Sequence, residues 1–148
     1  MMVEILIATS IITVSVLAAM AVTQKAVQVA RQTLHTAQAS FLLEEGAESA
    51  KILRDNNWTN ISALTLNTEY YPVFSDGTWT LSGTPQTVGI FTRTVKINSA
   101  LRDNITKDLG ESGTADPQTM FVTVTVSWQE GGTTVSKSLK FYLADIFS

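Results

Sequence analysis

Cysteine is absent, which excludes disulfides and thiolate metal sites but leaves an extracellular location open. A disulfide-free head outside the cell has to rely on sheet packing or on burial against neighbouring copies. Histidine occurs once, as His35, so a catalytic triad or a zinc site has no second imidazole; a surface position on a helix is expected for it. No proline precedes Pro72 and no glycine precedes Gly46, so the first 45 residues contain neither helix breaker. Charge is missing altogether from Ile5 to Gln24, and no basic residue precedes Lys25. A basic excess is missing too: Gly46 to Ser148 holds ten acidic and eight basic residues. Nucleic-acid affinity rests on clustered Lys and Arg, so charge does not indicate a nucleic-acid partner.

Catalytic signatures are equally scarce. There is no G-x-S-x-G elbow and no Gly-rich phosphate loop, and the chain is expected not to be an enzyme and to need no cofactor or metal. Asp103, Asp108, Glu111 and Asp116 offer oxygen ligands of the kind calcium takes, but their spacing fits no EF-hand, and a solvated loop accounts for them. Asn57, Asn60 and Asn104 each begin an N-x-[ST] sequon and are candidate glycosylation positions. Trp58, Trp79 and Trp128 read as core or turn aromatics rather than a ligand platform.

The uncharged run from Ile5 to Gln24 is twenty residues long, about what a bilayer-spanning helix needs. A secretory signal peptide would begin with a positive region and carry an apolar stretch of roughly 7–15 residues. This segment has an acid, Glu4, at its start instead. An uncleaved signal anchor or an ordinary membrane span remains open on the apolar run alone. Glu4 narrows the choice. A carboxylate near hydrocarbon is costly, about 2.5–3.5 kcal/mol at a helix centre and less towards an end, and such groups persist when they have a partner. The nearest candidate is the amine of Met1, one helical turn away, in the same chain or in an adjacent copy. Ile5, Leu6, Ile7, Ile11, Ile12, Val14, Val16, Leu17 and Met20 make up the apolar surface of the segment. Thr9, Ser10, Thr13 and Ser15 interrupt it, and their hydroxyls can bond back to a carbonyl one turn earlier.

The helical pattern continues past Gln24. Val27, Ala30, Leu34, Ala37 and Phe41 recur at steps of three and four, a stripe that asks for a partner helix or for the head. Around Leu43 it drifts towards Ala47, Ala50 and Leu53. Asp55-Asn56-Asn57 ends the helix, with Lys51 and Arg54 in its last turn. The helix is expected at about residues 2–55, roughly 80 Å long at 1.5 Å per residue, far more than the head needs. It divides into a membrane or filament-core segment (1–24) and an amphipathic continuation (25–55), followed by a β-rich head (56–148).

In the head the period changes from 3.6 to 2. Glu69–Phe74 and Thr78–Leu81 flank the turn Ser75-Asp76-Gly77. Phe91, Arg93, Val95 and Ile97 alternate with polar residues, as do Val122, Val124, Val126 and Trp128. Glu130-Gly131-Gly132-Thr133 reads as a tight hairpin, returning through Val135–Leu143 with Leu139, Phe141 and Leu143 facing in. Ser99 to Asp116 shows no sustained period and is expected to be a long surface loop. The fold class is therefore α+β: a long N-terminal helix whose second half carries an antiparallel sheet of at least three strands.

Val3-Glu4-Ile5-Leu6-Ile7-Ala8, opening an unbroken apolar run, resembles the class-III signal of type IV pilins and type II secretion pseudopilins. The stretches from Phe41 to Ala47 and from Arg54 to Trp58 are similar to that family as well, as is the Val122–Trp128 strand. The resemblance implies a chain that has lost a basic leader to a prepilin peptidase, with an N-terminal residue open to methylation. It gives Glu4 the role of the acid that pairs with a neighbour's amine during assembly. That acid is fifth in the family and fourth here, so the chain either lacks one residue of the mature protein or starts one position differently. The helix-bending Gly and Pro of many members are missing from the run.

The implied function is a structural pilin. Its copies are held in the cytoplasmic membrane, extracted by an assembly machine with a platform protein and an extension ATPase, and packed helix to helix into a surface filament. A minor pilin or pseudopilin with an adaptor or ligand-binding head is the alternative.

Overall fold

The computed structural model describes residues 1–146. It contains one long helix, α1 (Met2–Asn56), a single-turn α2 (Thr59–Ser62), and seven strands. These are β1 (Glu69–Ser75), β2 (Thr78–Ser82), β3 (Thr87–Val88), β4 (Phe91–Arg102), β5 (Leu109–Gly110), β6 (Thr114–Glu130) and β7 (Thr133–Ala144). The fold class is α+β, with a long N-terminal helix and an antiparallel C-terminal sheet. The chain divides into two compact units, Met1–Gln38 and Ala39 onward.

The first unit is helix alone. It contains no Gly or Pro, and every residue from Met1 to Arg31 is exposed. Its hydroxyl residues bond back onto their own helix. Thr9 Oγ1 donates to Ile5 O (2.9 Å), Ser10 Oγ to Ile7 O (2.8 Å), Thr13 Oγ1 to Thr9 O (2.8 Å) and Ser15 Oγ to Ile11 O (2.8 Å).

In the second unit the last part of α1 packs on the sheet through Ala39, Leu43, Gly46, Ala47, Ala50 and Leu53, all buried on one face of the helix. The facing residues are Phe91, Val95 and Ile97 of β4 and Val122, Val124, Val126 and Trp128 of β6. Burying each such aliphatic side chain contributes roughly 1.5–3 kcal/mol. Small residues let the layers approach closely. A Cβ on Gly46 would lie 2.7 Å from Val124 Cγ1 and 3.2 Å from Arg93 Cδ.

The sheet runs β2-β1-β4-β6-β7, with β3 and β5 added on β4. Both expected hairpins close through two-residue turns with positive φ, Asp76 (52°) and Gly77 (76°) in one, Gly131 (58°) and Gly132 (81°) in the other. This is the type I′ signature that matches strand twist. Leu139 departs from expectation. It pairs with Val124 and shares its face, but β7 is an edge strand and Leu139 stays 38 % exposed.

The segment Ser99–Asp116 is not a long loop. β4 runs on to Arg102 and pairs with Thr114, Ala115 and Asp116, after a register shift at Ser99/Ala100 that leaves Pro117, Gln118 and Thr119 outside the β4 ladder. Proline has no N–H to give a ladder, so the break falls where the sequence forbids pairing. β5 pairs with Leu101 and Arg102 on the other side. Gly113, at φ 126°, brings its backbone so near the Arg102 carbonyl that a Cβ there would collide with it.

Candidate assembly interface

The apolar segment is a helix with hydrophobic residues on every side. Ile5, Leu6, Ile7, Ile11, Ile12, Val14, Val16, Leu17 and Met20 are all more than half exposed. A helix apolar all round is ordinarily found in an apolar surrounding. By length and composition α1 is able to cross a membrane. Because the hydroxyls are already satisfied within the helix, what the segment presents outward is almost wholly hydrocarbon.

At its start the Met1 amine lies 3.4 Å from the nearer Glu4 carboxylate oxygen, within the same chain. Both groups are exposed to solvent, and an exposed pair of this kind contributes little to stability. The pair is therefore free to exchange partners at little cost.

The second stripe is exposed as well: Val27, Ala30, Leu34 and Ala37 in the first unit, and Phe41, 71 % exposed, in the second. None of the five is among the helix residues that bury themselves in the core. That face belongs to Ala39, Leu43, Ala47, Ala50 and Leu53, the set towards which the sequence pattern drifts. His35 is half-buried.

Two of the four loop acids, Asp103 and Asp116, are engaged in the fold. Asp103 Oδ1 accepts the N–H groups of Ile105 (2.7 Å) and Thr106 (2.8 Å), and these bonds, Thr106 first, hold its carboxyl below the usual carboxylate value. The Thr119 hydroxyl, then the Arg102 guanidinium, hold Asp116 below that value too; Arg102 Nε donates to Asp116 Oδ2 at 2.6 Å. Among the described residues no group of three or more His, Cys, Asp or Glu stands close enough to hold a metal ion.

The sequon asparagines are exposed but engaged. Asn57 Oδ1 accepts from Thr59 N (2.9 Å), Asn60 Nδ2 donates to Leu53 O (3.1 Å), and Asn104 Oδ1 accepts from Thr114 Oγ1 (2.6 Å). Trp128 is buried against Phe91, while Trp58 and Trp79 are partly buried on the same core.

One polar residue without an assigned role in the sequence reading stands out in the structure. Arg93 is 4 % exposed, with Nη1 3.1 Å from Glu45 Oε2 and its guanidinium 5.4 Å from the Trp79 ring centroid. The signal was present: Arg93 falls in phase with Phe91, Val95 and Ile97 on the inward face of β4.

Comparison of the chain with protein-family models, with curated proteins and with solved structures returned no match.

Proposed function

We propose that this chain is a structural subunit of a type IV pilus-like filament. Residues 5–24 hold it in the membrane before assembly. In the filament the same residues are buried among the helices of neighbouring copies, and the sheet-bearing heads form the outer surface. The observation that carries this reading is the exposed, uncharged helical segment Ile5–Gln24 with Glu4 at its tip. Lipid and a bundle of like helices are the two surroundings that accept such a surface.

Glu4 supplies register. Within one chain its pairing with the Met1 amine is solvated and weak, whereas the same pair formed between copies is withdrawn from water and fixes how far one helix slides along the next. The exposed stripe Val27, Ala30, Leu34, Ala37 and Phe41 extends helix-to-helix contact beyond the membrane length. The partners implied are further copies of this chain and the pilus machinery: prepilin peptidase, platform protein and extension ATPase.

The test is to shear surface filaments from the source cell and solve their helical structure. The expected result is this chain as the dominant component, with Glu4 beside a neighbour's N-terminal amine and the helix unbroken around Thr13–Val16. Presence only at a trace level would move the chain to the minor pilins or pseudopilins. A chain found solely as a membrane monomer would overturn the proposal.

A further inference from the structure

The β1–β2 hairpin is attached to the rest of the sheet over a short stretch. β1 pairs with β4 only at Glu69↔Lys96 and Tyr70↔Val95; from Tyr71 to Ser75 its partner is β2 alone. Beyond Tyr70 the hairpin meets the body of the head through Trp79 and Leu81, which lie partly buried on the hydrophobic core, and through Arg93. Arg93 Nη2 donates to Pro72 O at 3.4 Å, and the guanidinium faces the Trp79 ring. On its other side Arg93 has Glu45 of α1 as counter-ion, and its stem runs against Gly46.

This cation is buried and only partly satisfied. Nε and Nη1 have no hydrogen-bond acceptor among the described residues; Nη1 is near enough to Glu45 for an ion pair but is not aligned for a hydrogen bond. A buried charge short of partners costs free energy that hydration returns. The hairpin that covers Arg93 is two-stranded, and such a unit has little stability of its own.

We infer that the β1–β2 hairpin is a strap that opens as a unit from the rest of the head, and that the charge of Arg93 drives the opening. With the strap closed, the guanidinium is desolvated; with it open, Nε and Nη1 reach water and the Trp79 ring is uncovered. Glu45 opposes the opening, because its carboxylate is the one countercharge the buried guanidinium has within ion-pair distance among the described residues. The inference is independent of filament assembly.

The two charges therefore act in opposite directions, and hydrogen exchange on the full chain in detergent micelles reads both. Glu45→Gln leaves the buried cation uncompensated, so amides from Tyr71 to Ser82 exchange about tenfold faster. Arg93→Met keeps the side-chain volume and removes the charge, so the same amides exchange about tenfold slower. Amides of the β4–β6 ladder keep their rates in both variants. Faster hairpin exchange in both variants would make Arg93 an ordinary structural pin and overturn the inference. So would no hairpin-specific change, or a change shared equally by β4 and β6. Glu45→Gln alters a half-exposed side chain at constant size, so absence of a hairpin-specific acceleration in that variant alone is sufficient to overturn it.

Discussion

Replacing Gly46 by alanine sets two effects of known sign against each other. Alanine in a helix interior is about 1 kcal/mol more favourable than glycine. Against this, the new methyl would lie 2.7 Å from Val124 Cγ1 and 3.2 Å from Arg93 Cδ. Val124 is fully buried and flanked across the strands by Val95 and Leu139, so its methyl has nowhere to turn. Overpacking of this kind costs about 1–3 kcal/mol. The expected balance is a net loss of about 1 kcal/mol for Gly46→Ala, and about 3 kcal/mol for Gly46→Val, whose two further methyls enter the same space. Val124→Ala removes the atom that is struck. Alone it leaves a cavity worth about 2 kcal/mol, but combined with Gly46→Ala part of that space is filled by the new methyl, so the pair should show a favourable coupling of about 1–2 kcal/mol. The assay is denaturant unfolding of the full chain in detergent, followed by near-ultraviolet circular dichroism of the head's aromatic residues. If Gly46→Ala stabilised by its whole propensity gain, and the double variant were additive, the close helix–sheet contact would be wrong.

Three further outcomes follow from the same structure. Glu4→Ala should insert in the membrane as before but give a much reduced filament yield, measured by shearing and blotting; a normal yield would remove the pairing argument. Leu34→Ser and Phe41→Ser should leave the unfolding midpoint of the head within about 0.5 kcal/mol of the parent while lowering filament yield, since both side chains are exposed in the single chain. The carboxyls of Asp103 and Asp116 are held below their ordinary value of 3.8. A depressed folded value contributes stability that is complete above the unfolded pKa and is lost as pH falls through the folded one. The 99–119 corner should therefore hold at neutral pH and loosen only below about pH 4. Asp116→Asn should weaken that acid limb in an acid titration followed by circular dichroism.

The parts of the fold legible in the sequence are those governed by local chemistry or strict period. Asp76-Gly77 and Gly131-Gly132 announce their turns because few residues accept positive φ at two successive positions. Val122, Val124, Val126 and Trp128 announce a buried face by alternation. The corner from Ser99 to Asp116 was illegible because it is held by side chains rather than by pattern. Arg102 reaches Asp116, Asp103 caps two N–H groups, and Pro117 interrupts the register where alternation would have shown. Leu139 has the right phase, but alternation reports which face a residue takes and not how near an edge its strand lies. The short β3 and β5 fall below any period a sequence can display. The residues proposed for assembly were legible for a different reason: nothing among the described residues covers them, so their apolar character has no internal use to hide behind.

The back-bonded hydroxyls of Thr9, Ser10, Thr13 and Ser15 have one more consequence. A polar group that needs an external partner ties a helix to whichever medium provides one. Here each of these donors carries its acceptor with it, so the segment meets any apolar surrounding, fluid acyl chains or packed side chains, with the same polar groups already quenched. Moving between two such media breaks no hydrogen bond of these hydroxyls and forms none. The free-energy difference between them then reduces to how closely hydrocarbon touches hydrocarbon, together with whatever Glu4 gains at the tip. Between two apolar media such a segment is then sorted by packing, and by what the charged groups at its ends, Glu4 and Lys25, meet there.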